Sequence, residues 1–164
     1  MKVRTHFDLF GLAIVAGLLL ATLGCGGSGR VGANLKVTPV SGKVTLGGEP
    51  LADAQVTLAF EGNPPDGFVG AGAKTDAQGN FEVFTGGQKG APAGTYKVVI
   101  SKLVGADGKP AVPSEGMDMQ QIIASGAAKE LVPGAYSEEV QVQTKVTVKD
   151  GTPTPPVNID IPKQ

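Results

Sequence analysis

Val40-Ser41-Gly42-Lys43-Val44-Thr45-Leu46, then Gly47-Gly48-Glu49-Pro50, then Ala54-Gln55-Val56-Thr57-Leu58-Ala59-Phe60: this succession decides the fold. Val40, Gly42, Val44 and Leu46 alternate with Ser41, Lys43 and Thr45, and Ala54, Val56, Leu58 and Phe60 alternate with Gln55, Thr57 and Ala59. Successive side chains of a strand leave opposite faces, so a period of two is the pattern of a strand with one buried face. The glycines between the two runs carry turn chemistry, and Pro50, with its fixed φ and missing donor, suits the turn that enters a strand.

The same reading extends outward. Asn63-Pro64-Pro65-Asp66-Gly67 is a loop, and Phe68 to Thr75 reads as a small-residue strand in which Gly70 and Gly72 either weaken the ladder or admit another backbone. At Asp76-Ala77-Gln78-Gly79-Asn80 the chain turns: an Asp accepts bonds from amides two residues on, and a Gly adopts positive φ. Phe81 to Phe84 returns the chain, with Phe81 inward. Gly94 then bends it into Tyr96–Ser101, and Val140–Val148 and Val157–Ile161 alternate near the C-terminus. Short strands, Gly/Pro turns and no βαβ rhythm predict an all-β fold, an antiparallel β-sandwich. Val104 to Pro133 is too long for a bare loop. Met119, Ile122, Ile123 and Ala127 follow helical spacing there, with Asp118 and Lys129 placed as a helix dipole favours. One short inserted helix is predicted, about 117–128, with Gly126 limiting its length.

Upstream the pattern changes. Lys2 and Arg4 precede an uncharged run, Leu9 to Leu23, that is short for a membrane-spanning helix and fits the apolar region of a secretory signal. Its end, Thr22-Leu23-Gly24-Cys25, resembles a bacterial lipobox, in which cleavage follows a small residue and the next thiol receives a lipid. The resemblance implies a lipoprotein signal helix over 1–24 and lipidation at Cys25. Gly26, in place of the Asp that marks inner-membrane retention, favours the outer membrane. Residues 25–36, opening Cys-Gly-Gly-Ser-Gly, read as a flexible Gly/Ser-rich tether, leaving 37–164 as the domain.

Within that domain, Gly42-Lys43-Val44 and Gly48-Glu49-Pro50-Leu51-Ala52-Asp53-Ala54-Gln55-Val56-Thr57-Leu58 resemble the opening strands of carboxypeptidase regulatory-like domains. Thr75-Asp76-Ala77-Gln78-Gly79-Asn80-Phe81 is similar to their middle hairpin, and Ala93-Gly94-Thr95-Tyr96-Lys97-Val98 to their strand entry. The likeness covers 40–102 and implies a transthyretin (prealbumin)-like sandwich of seven strands in two sheets. The remainder, including Pro133-Gly134-Ala135-Tyr136-Ser137, resembles small bacterial lipoproteins that contain this domain.

Composition narrows the chemistry. The 164 residues carry a formal charge of −1, 41% apolar and 18% charged residues, no Trp, one His and one Cys. That suffices for one domain plus a targeting segment, excludes disulfide frameworks and Cys/His zinc sites, and argues against nucleic acid as a partner. His6 leaves with the signal, so a Ser-His-Asp triad and a histidine-ligated metal cannot form in the mature chain. Glu138, Glu139, Asp107 and Glu115 were the carboxylates to weigh for glycosidase chemistry, but neighbours on a strand point apart, and no Ser-x-x-Lys spacing occurs. The expectation is a non-catalytic protein without metal or cofactor, moored to the membrane through lipidated Cys25, with an interaction or structural role at the cell envelope. Its partner is an envelope protein or a polysaccharide, the alternative being a carbohydrate-binding module. Candidate contact residues are Met119, Ile122 and Ile123, together with Tyr136, the tyrosine less clearly patterned as core. Strand edges are the other candidate surface, through added main-chain hydrogen bonds.

Overall fold

Val56, Leu58 and their partners at every second position are buried, as period two requires. The protein is seen here as a computed structural model that describes residues 35–112 and 118–163; the signal sequence and Cys25 lie outside the described residues. In chain order the elements are β1 (Ser41–Leu46), β2 (Glu49–Pro50), β3 (Gln55–Phe60), β4 (Ala71–Lys74), β5 (Asn80–Glu82), β6 (Phe84–Thr85), β7 (Gln88–Lys89), β8 (Gly94–Ser101), β9 (Leu103–Gly105), α1 (Met119–Ala124), β10 (Ala128–Glu130), α2 (Gly134–Ser137), β11 (Lys145–Val148) and β12 (Val157–Ile161). The fold is all-β. Where the resemblance implies seven strands, twelve occur among the described residues. The surplus comes from the two- and three-residue pieces β2, β5, β6, β7, β9 and β10.

A six-stranded antiparallel sheet runs β11-β8-β3-β4-β6-β7. In a second sheet, ordered β12-β1-β2, β1 is also paired by β5. β9 and β10 make a third, two-stranded sheet. One pairing departs from the antiparallel expectation: β12 runs parallel to β1, with Gly42 opposite Val157 and Leu46 opposite Ile161. A period of two is the same read in either direction, so the pattern could not reveal it. Val44, Phe81, Ile159 and Ile161 from the second sheet and Val56, Leu58, Tyr96, Val98, Ile100, Val146 and Val148 from the first belong to one buried cluster.

Local chemistry sets the joints. Asp76 Oδ1 accepts from the Gln78 and Asn80 amides at 2.9 and 2.8 Å, and Gly79 sits at φ +78°. The Asn80 side chain, and then those amides, hold the Asp76 carboxyl below its ordinary range. The returning segment changes sheets at fully buried Val83, so β5 pairs β1 whereas β6 pairs β4. Buried Thr75 closes the β3–β4 hairpin: its hydroxyl donates to Leu51 O at 2.6 Å and accepts from Ala54 N at 2.8 Å. Gly94 plays a different part from the bend expected of it. A Cβ there would lie 2.6 Å from Phe60 Cε2, so the residue makes room for the ring.

Tyr96, fully buried near the start of β8, donates its hydroxyl proton to Pro92 O at 2.7 Å, and its ring meets Phe60 edge-on with centroids 5.0 Å apart. Burial pushes its phenol pKa up to about 12. An acid whose pKa is raised by folding adds stability that is complete below the unfolded value, about 10, and is lost as pH climbs through the folded one. Between about pH 10 and 12 the domain is therefore expected to lose stability, with the Tyr96 phenolate band near 295 nm emerging together with loss of the far-ultraviolet β signal. Ionisation of both tyrosines at about pH 10 with that signal intact would contradict this placement.

Two expected boundaries shift. The strand predicted over Val140–Val148 begins only at Lys145; Gln141 N and Val142 N both bond to Glu138 O, making a turn that leaves Val140 83% exposed. The Phe68–Thr75 strand contracts to β4.

Candidate functional site

The segment predicted as a contact surface is an excursion between β9 and β10 that carries α1. Asp118 caps the helix: its Oδ1 accepts from Gln121 N at 2.9 Å and Gln121 Oε1 accepts from Asp118 N at 2.9 Å, a reciprocal capping box. At the other end Gly126 N bonds to Ile123 O and Ala127 N to Ile122 O, with Gly126 at φ +74°. This left-handed stop explains why the helix spans Met119–Ala124 instead of about 117–128.

The predicted contact residues are thus divided. Ile122 is buried, whereas Ile123 stands 40% exposed. Met119 is the first residue of α1. Tyr136 lies on α2, half-buried and packed against the main core, in a helical turn where an irregular entry to a strand was expected. α1 packs on β10 and α2 on β8. The four residues therefore do not make one patch: Ile123 is open and Tyr136 belongs mainly to the interior.

Missed by sequence reasoning was Glu130. Its Oε2 accepts from Ser101 Oγ at 2.5 Å and its Oε1 from Lys102 N and Val132 N at 2.8 and 2.9 Å. One carboxylate thereby ties β10 to the end of β8. Only its place shortly before the Pro133 turn hinted at this, and no spacing rule singles it out. Alongside lies a cavity of about 320 Å³, bounded by residues 129–133 on one side and by Leu46, Pro162 and Lys163 on the other.

The carboxylates weighed for catalysis are scattered. Glu138 caps the end of α2 and accepts from the Gln141 side chain, while Glu139 offers its main-chain oxygen to Lys97 Nζ at 2.9 Å. Asp107 Oδ1 accepts from Lys109 N at 3.1 Å within a surface turn, and Glu115 lies outside the described residues. Among the described residues no group of three or more His, Cys, Asp or Glu side chains is set to hold a metal ion. The most open aromatic ring there is Phe84, 41% exposed, and the Lys89 ammonium stands 6.0 Å above its centroid. No protein-family model, curated protein or solved structure matches this chain.

Proposed function

We propose that the chain is an exported, non-catalytic β-sandwich domain, of the transthyretin-like kind seen in carboxypeptidase regulatory-like domains, held by a lipid on Cys25 and serving an interaction or structural role at the cell envelope, with the outer membrane favoured. The carrying observation is positional: the only thiol in the chain closes an uncharged leader at Leu23-Gly24-Cys25 and is followed by a Gly-rich spacer and an all-β domain. Two sheets sharing one core support the sandwich, as does Tyr96, whose hydroxyl reaches back to a main-chain oxygen four residues upstream. That is the tyrosine-corner arrangement of Greek-key sandwiches.

One acyl chain binds a membrane only marginally, whereas two or more give stable attachment. The native protein is accordingly expected to enter the detergent-rich phase on Triton X-114 partition, to incorporate an alkyne-tagged palmitate and to sediment with membranes. Cys25→Ser should remove the label and move most of the protein to the aqueous phase. Unchanged partition of that variant would overturn the anchor. The polysaccharide alternative draws little from the surface, since Tyr136 is half-buried and Phe84 is overlain by Lys89.

A further inference from the structure

We propose that the outer edge of β10 is a docking edge for an extended segment of a partner protein in which apolar residues alternate with carboxylates. The proposal rests on the reading of the chain as an interaction domain and specifies where, and to what, it binds. Three main-chain bonds fix the geometry. Leu131 N donates to Lys102 O, which turns Leu131, and by alternation Lys129, toward β9. Gly105 N donates instead to Lys109 O, and Leu103 O accepts from Ala111 N, so the residues opposite Ala128 and Glu130 look away from β10. In an antiparallel ladder bonded and non-bonded pairs alternate. The amides and carbonyls of Ala128 and Glu130 therefore point outward, at an edge beyond which no further strand lies among the described residues.

The cavity of about 320 Å³ runs beside this segment. Leu131, 42% exposed, and Leu46 supply apolar wall. The carboxylate of Glu130 is already engaged by Ser101, Lys102 and Val132, so it does not set the sign of the slot. The cations do. Lys129 is exposed and has no ion-pair partner among the described residues, and Lys163, at the far wall, holds only exposed Glu49 at 2.8 Å. Strand addition draws affinity from main-chain bonds and specificity from alternate side chains. Apolar residues entering the slot beside carboxylates that meet the two lysines satisfy both demands. A second copy of this chain fits worse: pairing β10 with itself in antiparallel register brings Lys129 against Lys129, and like charges opposite one another destabilise a ladder.

The test titrates two labelled heptapeptides into the detergent-solubilised full chain, one of alternating Glu and Val, the other with Lys for Glu. The Glu peptide is expected to bind, to slow amide exchange at Ala128 and Glu130 at least tenfold, and to lose affinity at least tenfold in Lys129→Glu and in Leu131→Asp. The Lys peptide should not bind. Both substituted positions are exposed, so melting temperatures should stay within a degree or two of the parent, and a fall in affinity reports the edge rather than the fold. Equal behaviour of the two peptides, unchanged exchange at 128–131, protection elsewhere, or self-association through this edge would each overturn the proposal. None of these outcomes touches the lipid anchor, which the Cys25→Ser partition reads separately.

Discussion

Replacing Tyr96 with alanine is expected to lower the unfolding free energy by about 3–5 kcal/mol, read from the midpoint of a urea transition. Tyr96 heads the fully buried side chains by volume, and its ring stands between Phe60 and Phe68, with centroids 5.0 and 6.3 Å away. Truncation leaves a hole that β8, hydrogen-bonded to β3 on one side and β11 on the other, has little freedom to fill. It also strips buried Pro92 O of its donor. Tyr96→Phe separates the two effects: it keeps the ring and removes only the hydroxyl, which should cost about 1–2 kcal/mol. Small domains hold only about 5–15 kcal/mol in total, so the alanine variant is expected near the limit of folding and the phenylalanine variant well inside it. Equal losses in the two would mean that the hydroxyl bond, and not the packing, organises this end of the sheet.

How much of this was legible follows from what each signal depends on. Strand positions came from local alternation, and there the reading was close: Val40–Leu46 became β1, Ala54–Phe60 became β3, and Val157–Ile161 matched β12 at both ends. Alternation misled at Val140, where a valine at the right spacing belongs to a turn closed on Glu138 O. Two valines two apart cannot announce that the chain between them has closed on itself. Strand direction was also invisible, because the β1–β12 pairing joins residues more than a hundred positions apart. The switch of sheets at Val83 belongs to the same class: Phe81 and Val83 are both buried, as one strand would have it, yet the strand is divided between two sheets.

The candidate site was less legible, for a related reason. Helical spacing located α1, and the capping pair Asp118 and Gln121 could have set its start more closely. The value of Ile123 over Ile122 as a surface residue depended on which side of a six-residue helix the chain would cover, and that is decided by tertiary packing. β10 had no signature at all. Ala128-Lys129-Glu130 is too short and too mixed to read as a strand, and its edge exists only because β9 returns to meet it.

The second large effect is expected at Gly42, a position that reads in the sequence as an unremarkable gap in an alternating strand. Its Cα faces Val157 across the parallel ladder and Phe81 across the antiparallel one. A Cβ built there would sit 1.9 Å from Val157 O and 2.8 Å from Phe81 Cζ. The first neighbour is main chain and cannot swing aside like the tip of a flexible side chain, so Gly42→Ala leaves two outcomes. Either β1 and β12 stay paired under overpacking, or β12 peels away and exposes Ile159 and Ile161, each of which stabilises the fold by about 1.5–3 kcal/mol when buried. Both routes lead to a loss of more than about 3 kcal/mol. Gly48→Ala is the control: that residue has positive φ but nothing within 4 Å of a built Cβ, so only backbone strain of about 1 kcal/mol is expected. Amide exchange separates the two routes for Gly42. Accelerated exchange confined to β12 marks peeling, whereas uniform acceleration marks strain carried by the whole domain, and a Gly42→Ala variant as stable as Gly48→Ala would refute the parallel register drawn for these strands.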